Sequence, residues 1–228
     1  FSSNLYFWYT GQEYAAESGL LKPFLHTWSL SVEEQYYILF PIFLLIIFRY
    51  FRKYIIHFLI FGFILSLLLA DYGSKNHPSI NFYSLPTRGW ELLVGSILAY
   101  FEIMRNQSRI NKKLIMIMPG LGMILILHSI IFFHDQMFHP SFYTLSPILG
   151  VSLIIWFARK EELITKILST KFFVKIGLIS YSLYIWHYPV FAFDRISEFS
   201  NDNIFRELSL GMIIFISILA CLDGRNFY

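Results

Sequence analysis

Apolar residues fall into seven long blocks separated by short polar stretches, at 35–51, 54–71, 85–103, 114–133, 143–158, 172–192 and 207–222. About 20 mostly apolar residues cross roughly 30 Å of hydrocarbon as a helix, so each block predicts one membrane span. The predicted fold is therefore all-α, a polytopic transmembrane bundle of about seven helices. Pro147 and Gly150 interrupt the shortest block and predict a break there. Directly ahead of the first block, the stretch HTWSLSVEEQYY, His26 to Tyr37, gathers a histidine, two adjacent carboxylates and several hydroxyls. Ionisable groups beside hydrocarbon are costly unless paired or wet, which marks this cluster as a candidate for chemistry.

Composition removes the alternative of a soluble domain. Apolar residues make up 56% of the 228 positions, aromatic ones 20% and charged ones only 14%. Charge then orients the bundle, because short cytoplasmic loops retain Lys and Arg. Arg49, Arg52, Lys53, Arg105, Arg109, Lys112, Lys113, Arg159, Lys160, Lys166, Lys171 and Arg225 all follow odd-numbered blocks and define the cytoplasmic side. Lys22, Lys75, Arg88, Arg195 and Arg206 fall on the other side, and Lys175 just inside a block. His26–Gln35, the Asp71–Ser84 loop, His134–Phe142 and Asp194–Arg206 are thus expected to face outward. The net charge of +3 reflects this topology and points to no nucleic acid. The single cysteine, Cys221, lies in the last block and reads as an apolar filler. With no repeat, linker or signal peptide, the chain reads as one membrane domain over 1–228, and its opening on Phe1 suggests a fragment.

Three motifs in series carry a family resemblance: HTWSLSVEEQYYILFP at 26–41, LPTRGWELLVGSILA at 85–99 and IGLISYSLYIWHYPV at 176–190. Together they resemble the acyltransferase 3 family, multi-span bacterial inner-membrane enzymes that O-acylate, commonly O-acetylate, cell-surface polysaccharides such as lipopolysaccharide O-antigen. The lead-in SNLYFWYTGQEYAAESGLLKPFLHTWSL is similar to the subgroup that often bears a C-terminal extracytoplasmic SGNH esterase-like domain. The resemblance implies that the family's opening spans, with a basic residue and a central histidine, are missing ahead of Phe1. From about Leu219 the ending FISILACLDGRNFY departs from the family's Glu-Pro-Phe-Arg-like tail.

Read residue by residue, Ser31 followed by Glu34 has the spacing of a capping box, giving Glu34 a structural use beside a possible substrate contact. Glu33 is not needed for that box; near a helix N-terminus its charge is favoured, and it is free to orient a sugar hydroxyl or a histidine. His26 precedes the helix, where an ordinary imidazole transfers protons near neutrality; the alternative is a plain solvated loop residue. Trp28 offers a stacking surface or an interface anchor, and Ser29 and Tyr37 add hydroxyls to the same block. Arg88 opens the third block at the helix end that disfavours a cation. Either it forms an i,i+3 ion pair with Glu91, or its planar fork reads a carboxylate, phosphate or carbonyl. Gly89 and Gly95 would allow close helix approach around it. Ser180, Tyr184 and His187 share one helix face, but seven residues at about 1.5 Å each leave Ser180 and His187 too far apart for a dyad. Tyr184 and His187 are one turn apart and predict a polar seam. His57, His77, His128, His134 and His139 lack ligand spacing, so no metal and no bound cofactor are expected.

The resemblance implies an O-acyltransferase that moves an acyl group, commonly acetyl, from acyl-CoA to a hydroxyl of an extracytoplasmic polysaccharide or lipid-linked glycan. Its catalytic candidates are His26, Glu33 and Arg88; its substrate-binding candidates are Trp28, Ser29, Glu34, Tyr37, Glu91, Tyr184 and His187. Two other classes stay open, a transporter or flippase and a non-catalytic remnant. A polar cluster at one face, with no inverted repeat, argues against transport.

Overall fold

The computed structural model describes residues 1–11, 19–104, 111–134 and 137–198. Among them every regular element is a helix: α1 (Ser3–Thr10), α2 (Trp28–Phe51), α3 (Ile55–Asn76), α4 (Pro78–Tyr83), α5 (Leu85–Met104), α6 (Lys112–Phe132), α7 (Leu145–Phe157), α8 (Leu163–Leu168) and α9 (Lys171–Glu198). Six of the seven apolar blocks coincide with one of these helices. The seventh block, 207–222, lies outside the described residues, as do Cys221, Arg105, Arg109, Arg206 and Arg225. Two helical runs, Leu25–Asn76 and Lys112–Phe132, carry stretches long and apolar enough to cross a membrane. Their large side chains point outward in number: Leu45, Ile130 and Ile131 are each about 70% exposed (69%, 71% and 69%). Apolar surface on this scale marks contact with lipid or a partner.

Three local expectations are corrected. The expected break in 143–158 is absent: α7 runs unbroken from Leu145 to Phe157, with Pro147 in its first turn, where a missing amide has no rung to spoil. The expected outward loop Asp71–Ser84 is largely helical, because α3 continues to Asn76 and α4 follows at Pro78. The Ser31–Glu34 capping box does not form. A 3₁₀ turn over Leu25–Thr27 leads straight into α2, so Ser31 lies inside the helix and is buried.

The chain divides into two compact units, one of Phe1 and Leu30–Ile167, the other of Ser2–Ser29 and Leu168 onward. In the first, α3 packs on α5 and α6 on α7, with α7 also touching α5. Trp90 is fully enclosed with Leu67 and Ala70, flanked by Phe63, Val94, Leu145 and Ile148. The Tyr36 and Ser96 hydroxyls, 2.8 Å apart, join α2 to α5. Gly122 and Gly150 let α6 and α7 approach backbone to backbone: a Cβ on Gly150 would sit 2.6 Å from the Gly122 carbonyl oxygen. Gly95, by contrast, has open space where its Cβ would be, so the expectation of close approach there is also corrected.

Asn81 fixes the end of this unit. Buried to 2% exposure, it donates through Nδ2 to the Ala70 carbonyl (3.1 Å) and the Pro140 carbonyl (3.4 Å). Its backbone carbonyl accepts from Thr87 Oγ1 at 2.6 Å. Buried polar groups left without partners are costly, so these bonds hold α4 between α3 and the start of α5. In the second unit, α9 packs against the 3₁₀ turns Gly19–Leu21 and Leu25–Thr27. Tyr188 Oη donates to the Gly19 carbonyl (2.8 Å), and Ser3 Oγ ties α1 to the Thr27 carbonyl (3.1 Å).

Candidate active site

In the second unit, residues some 160 positions apart in sequence come together around His26. Its ring is 8% exposed and stacks on Tyr188, with centroids 5.3 Å apart and planes 27° apart. Tyr184 and His187 meet it edge-on at 5.3 Å and 5.5 Å. Tyr184 Oη donates to the His26 carbonyl at 2.7 Å, so the 2.6 Å contact with Ser29 Oγ has Ser29 as its donor. His187 Nδ1 lies 2.7 Å from the Tyr184 carbonyl and 3.0 Å from that of Leu183. Carbonyls only accept, so the ring proton of neutral His187 is on Nδ1 and Nε2 keeps its lone pair. That is the tautomer a general base needs.

His26 differs from its neighbour. Neither of its ring nitrogens meets a hydrogen-bond partner in acceptable geometry. Burial first, and the neighbouring His187 second, lower its pKa from the ordinary 6.5, while the Ile185 backbone opposes part of the shift. That carbonyl is available because Pro189, four residues on, has no amide to return to it. The expectation of an ordinary imidazole is thus corrected, and the alternative of a solvated loop residue is not met either. His26 is a buried, neutral imidazole backing His187.

The sign of this shift sets a pH dependence. The unfolded chain binds a proton on His26 more readily than the folded one, so stability is greatest above pH 6.5 and declines as pH falls through that value. Thermal midpoints of the full-length protein between pH 8 and pH 5 should show this decline, and His26→Gln should flatten it. An equal slope in the variant would mean that other groups cause it.

In the first unit, Arg88 sits in the opening turns of α5. Its Nε donates to the Phe82 carbonyl (3.1 Å), its guanidinium lies 4.7 Å over the Phe82 ring, and Nη1 is 3.6 Å from Glu91 Oε1. The i,i+3 pair expected from the sequence is therefore formed, with side chains only 18% and 24% exposed. Nearby, burial and the Arg88 charge lower the pKa of His139. In α2, Glu33 is half-buried, which raises its pKa, and Glu34 is 49% exposed. Trp28 opens α2 half-buried, and Tyr37 is exposed with its ring edge-on to Tyr36.

A family model described as an acyltransferase domain, acyltransferase 3, matches residues 2–222. The chain belongs to the acyltransferase 3 family. It is 30% identical over 218 residues to the peptidoglycan O-acetyltransferase OatA of Listeria monocytogenes, covering 90% of this chain and 35% of that protein. A putative O-acetyltransferase of Staphylococcus aureus strain COL is 32% identical over 182 residues, 75% of this chain and 30% of that one. The O-acetyltransferase OatA of Staphylococcus aureus strain NCTC 8325 is 31% identical over 183 residues, 76% and 30%. The chain spans about a third of the length of these relatives. No solved structure matches it.

Within this acyltransferase 3 chain, the structure brings His26, Ser29, Tyr184 and His187 together in one unit, and Arg88 with Glu91 in the other. Tyr37, Glu33 and Glu34 belong to the same unit as Arg88. Sequence reasoning missed Tyr188, Asn81, Phe82 and Thr87. For the docking of His26 on α9 a signal was present: Pro189 has no amide for the Ile185 carbonyl one turn back, which leaves that carbonyl open to another partner.

Proposed function

We propose that the chain is the membrane part of an O-acetyltransferase, crossing the bacterial cytoplasmic membrane about seven times as one domain. It moves an acetyl group, supplied by cytoplasmic acetyl-CoA, to a hydroxyl of an extracytoplasmic glycan. The observation that carries this reading is His187: its Nδ1 is occupied by two backbone carbonyls and its Nε2 is left to accept a proton, beside a histidine kept neutral by burial. The acceptor hydroxyl oxygen attacks the acyl carbonyl carbon and its proton passes to His187 Nε2; the bond from acyl group to carrier then breaks, and the carrier leaves with that proton. His26 cannot easily share the charge, so the proton stays where it was received. Arg88 holds an anionic group of the substrates, with Glu91 and Phe82 fixing its fork. Trp28, Ser29 and Tyr184 contact the substrate beside His187, and Glu33 is a carboxylate of the first unit that orients a substrate hydroxyl. The peptidoglycan-acetylating relative favours a cell-wall glycan as acceptor over lipopolysaccharide.

Ester-bound acetate per sugar in the surface glycan tests this in cells with and without the full-length gene. Deletion should remove the acetate, complementation should restore it, and the quantity of glycan should not change. Less exported glycan at unchanged acetate per sugar would instead identify a transporter.

A further inference from the structure

Within an α-helix the Pro86 carbonyl and the Trp90 amide are the two ends of one hydrogen-bonded rung. Here a side chain from another helix engages both. Ser66 of α3 donates through Oγ to the Pro86 carbonyl at 2.6 Å and accepts from the Trp90 amide at 2.9 Å. Ser66 is 7% exposed, so little water competes for either bond. Arg88 lies midway along the bracketed turn.

Three other helical serines are satisfied within their own helix. Ser129, Ser152 and Ser180 each donate to a carbonyl of their own helix, at Leu125 (2.9 Å), Ile148 (2.7 Å) and Gly177 (2.7 Å). That is the ordinary way for a helical serine to be satisfied. Ser66 reaches across to α5 instead, passing beside Gly89, where even an added Cβ would make only ordinary contact with Ser66 Oγ at 3.6 Å. A side chain set into the ladder is a recognised cause of local helix bending. The same turn is held from its other side, where Thr87 Oγ1 donates to the Asn81 carbonyl at 2.6 Å and Arg88 Nε to that of Phe82.

We propose that Ser66 is a positioning residue for Arg88, setting the pitch of the Pro86–Trp90 turn and with it the direction of the guanidinium. The inference rests on the reading that Arg88 binds an anionic group in the reaction. Without the hydroxyl, the Pro86 carbonyl and the Trp90 amide lose the bridge that Ser66 supplies from α3. The turn then settles at a different pitch and re-aims the arginine while the fold survives.

The test uses full-length protein in its membrane, with acetylation rates normalised to abundance. Ser66→Ala should lower the rate about 10- to 100-fold, the scale on which small misplacements act. Ser66→Thr, which keeps the hydroxyl, should stay within about threefold of the parent, as a retained bond predicts. Combined with Arg88→Lys, Ser66→Ala should add nothing further, because both act through one group. Multiplicative losses in the double variant, or a threonine variant as poor as the alanine one, would reduce Ser66 to packing and overturn the proposal. If Ser66→Ala does not accumulate, Ser66→Val against Ser66→Thr makes the same comparison, since the two differ only in the hydroxyl. A normal rate for Arg88→Lys alone would overturn the Arg88 reading itself; a strong Arg88 effect with a normal Ser66→Ala rate would overturn only the present inference.

Discussion

Arg88→Lys in the full-length protein is expected to lower glycan acetylation about 100-fold or more with membrane abundance unchanged, the loss typical of removing one preorganised donor from a reacting centre. The charge survives this change, so an effect must come from geometry. Arginine here uses Nε on the Phe82 carbonyl, its flat face on the Phe82 ring and one terminal nitrogen on Glu91. Lysine has a single ammonium and can satisfy at most part of that set. A competing account treats Arg88 and Glu91 as a purely structural pair. The exchanged variant Arg88→Glu/Glu91→Arg distinguishes them: it keeps the pair at i,i+3 with its direction reversed, and restored acetylation would show that the pair alone is required. We expect the exchange to stay inactive.

Much of the fold could be read from hydrophobic pattern alone, since six apolar blocks emerge as helices close to their expected limits. The errors were local and share a cause. Ser31-x-x-Glu34 has cap spacing, yet a 3₁₀ turn at Leu25–Thr27 runs into α2 and starts the helix earlier, at Trp28. Pro147 looked like a breaker but sits in a first turn, where proline is tolerated. In each case the neighbouring backbone decided what the motif would do. The i,i+3 partnership of Arg88 and Glu91 and the Tyr184–His187 seam were legible because they lie within one helix. The packing of His26 on α9 and the reach of Ser66 to α5 were not, because pairings between distant segments leave no mark in spacing. Only the proline after His187, by freeing the Ile185 carbonyl, hinted at the first of these.

His187 is where the account is most exposed. In His187→Asn the side-chain amide can still donate to the Tyr184 and Leu183 carbonyls in place of Nδ1–H, while nothing replaces the Nε2 lone pair. Packing around His26 should therefore persist and proton acceptance should be lost. General bases contribute about 10²- to 10⁴-fold, so that is the size of the expected fall. The decisive measurement supplies labelled acetyl-CoA to the cytoplasmic face of vesicles carrying the full-length protein and follows label into glycan on the opposite face. Parent protein should transfer label, and His187→Asn at equal abundance should transfer at least 100-fold less. Transfer by His187→Asn at the parent's rate would contradict the assignment of His187 as the base.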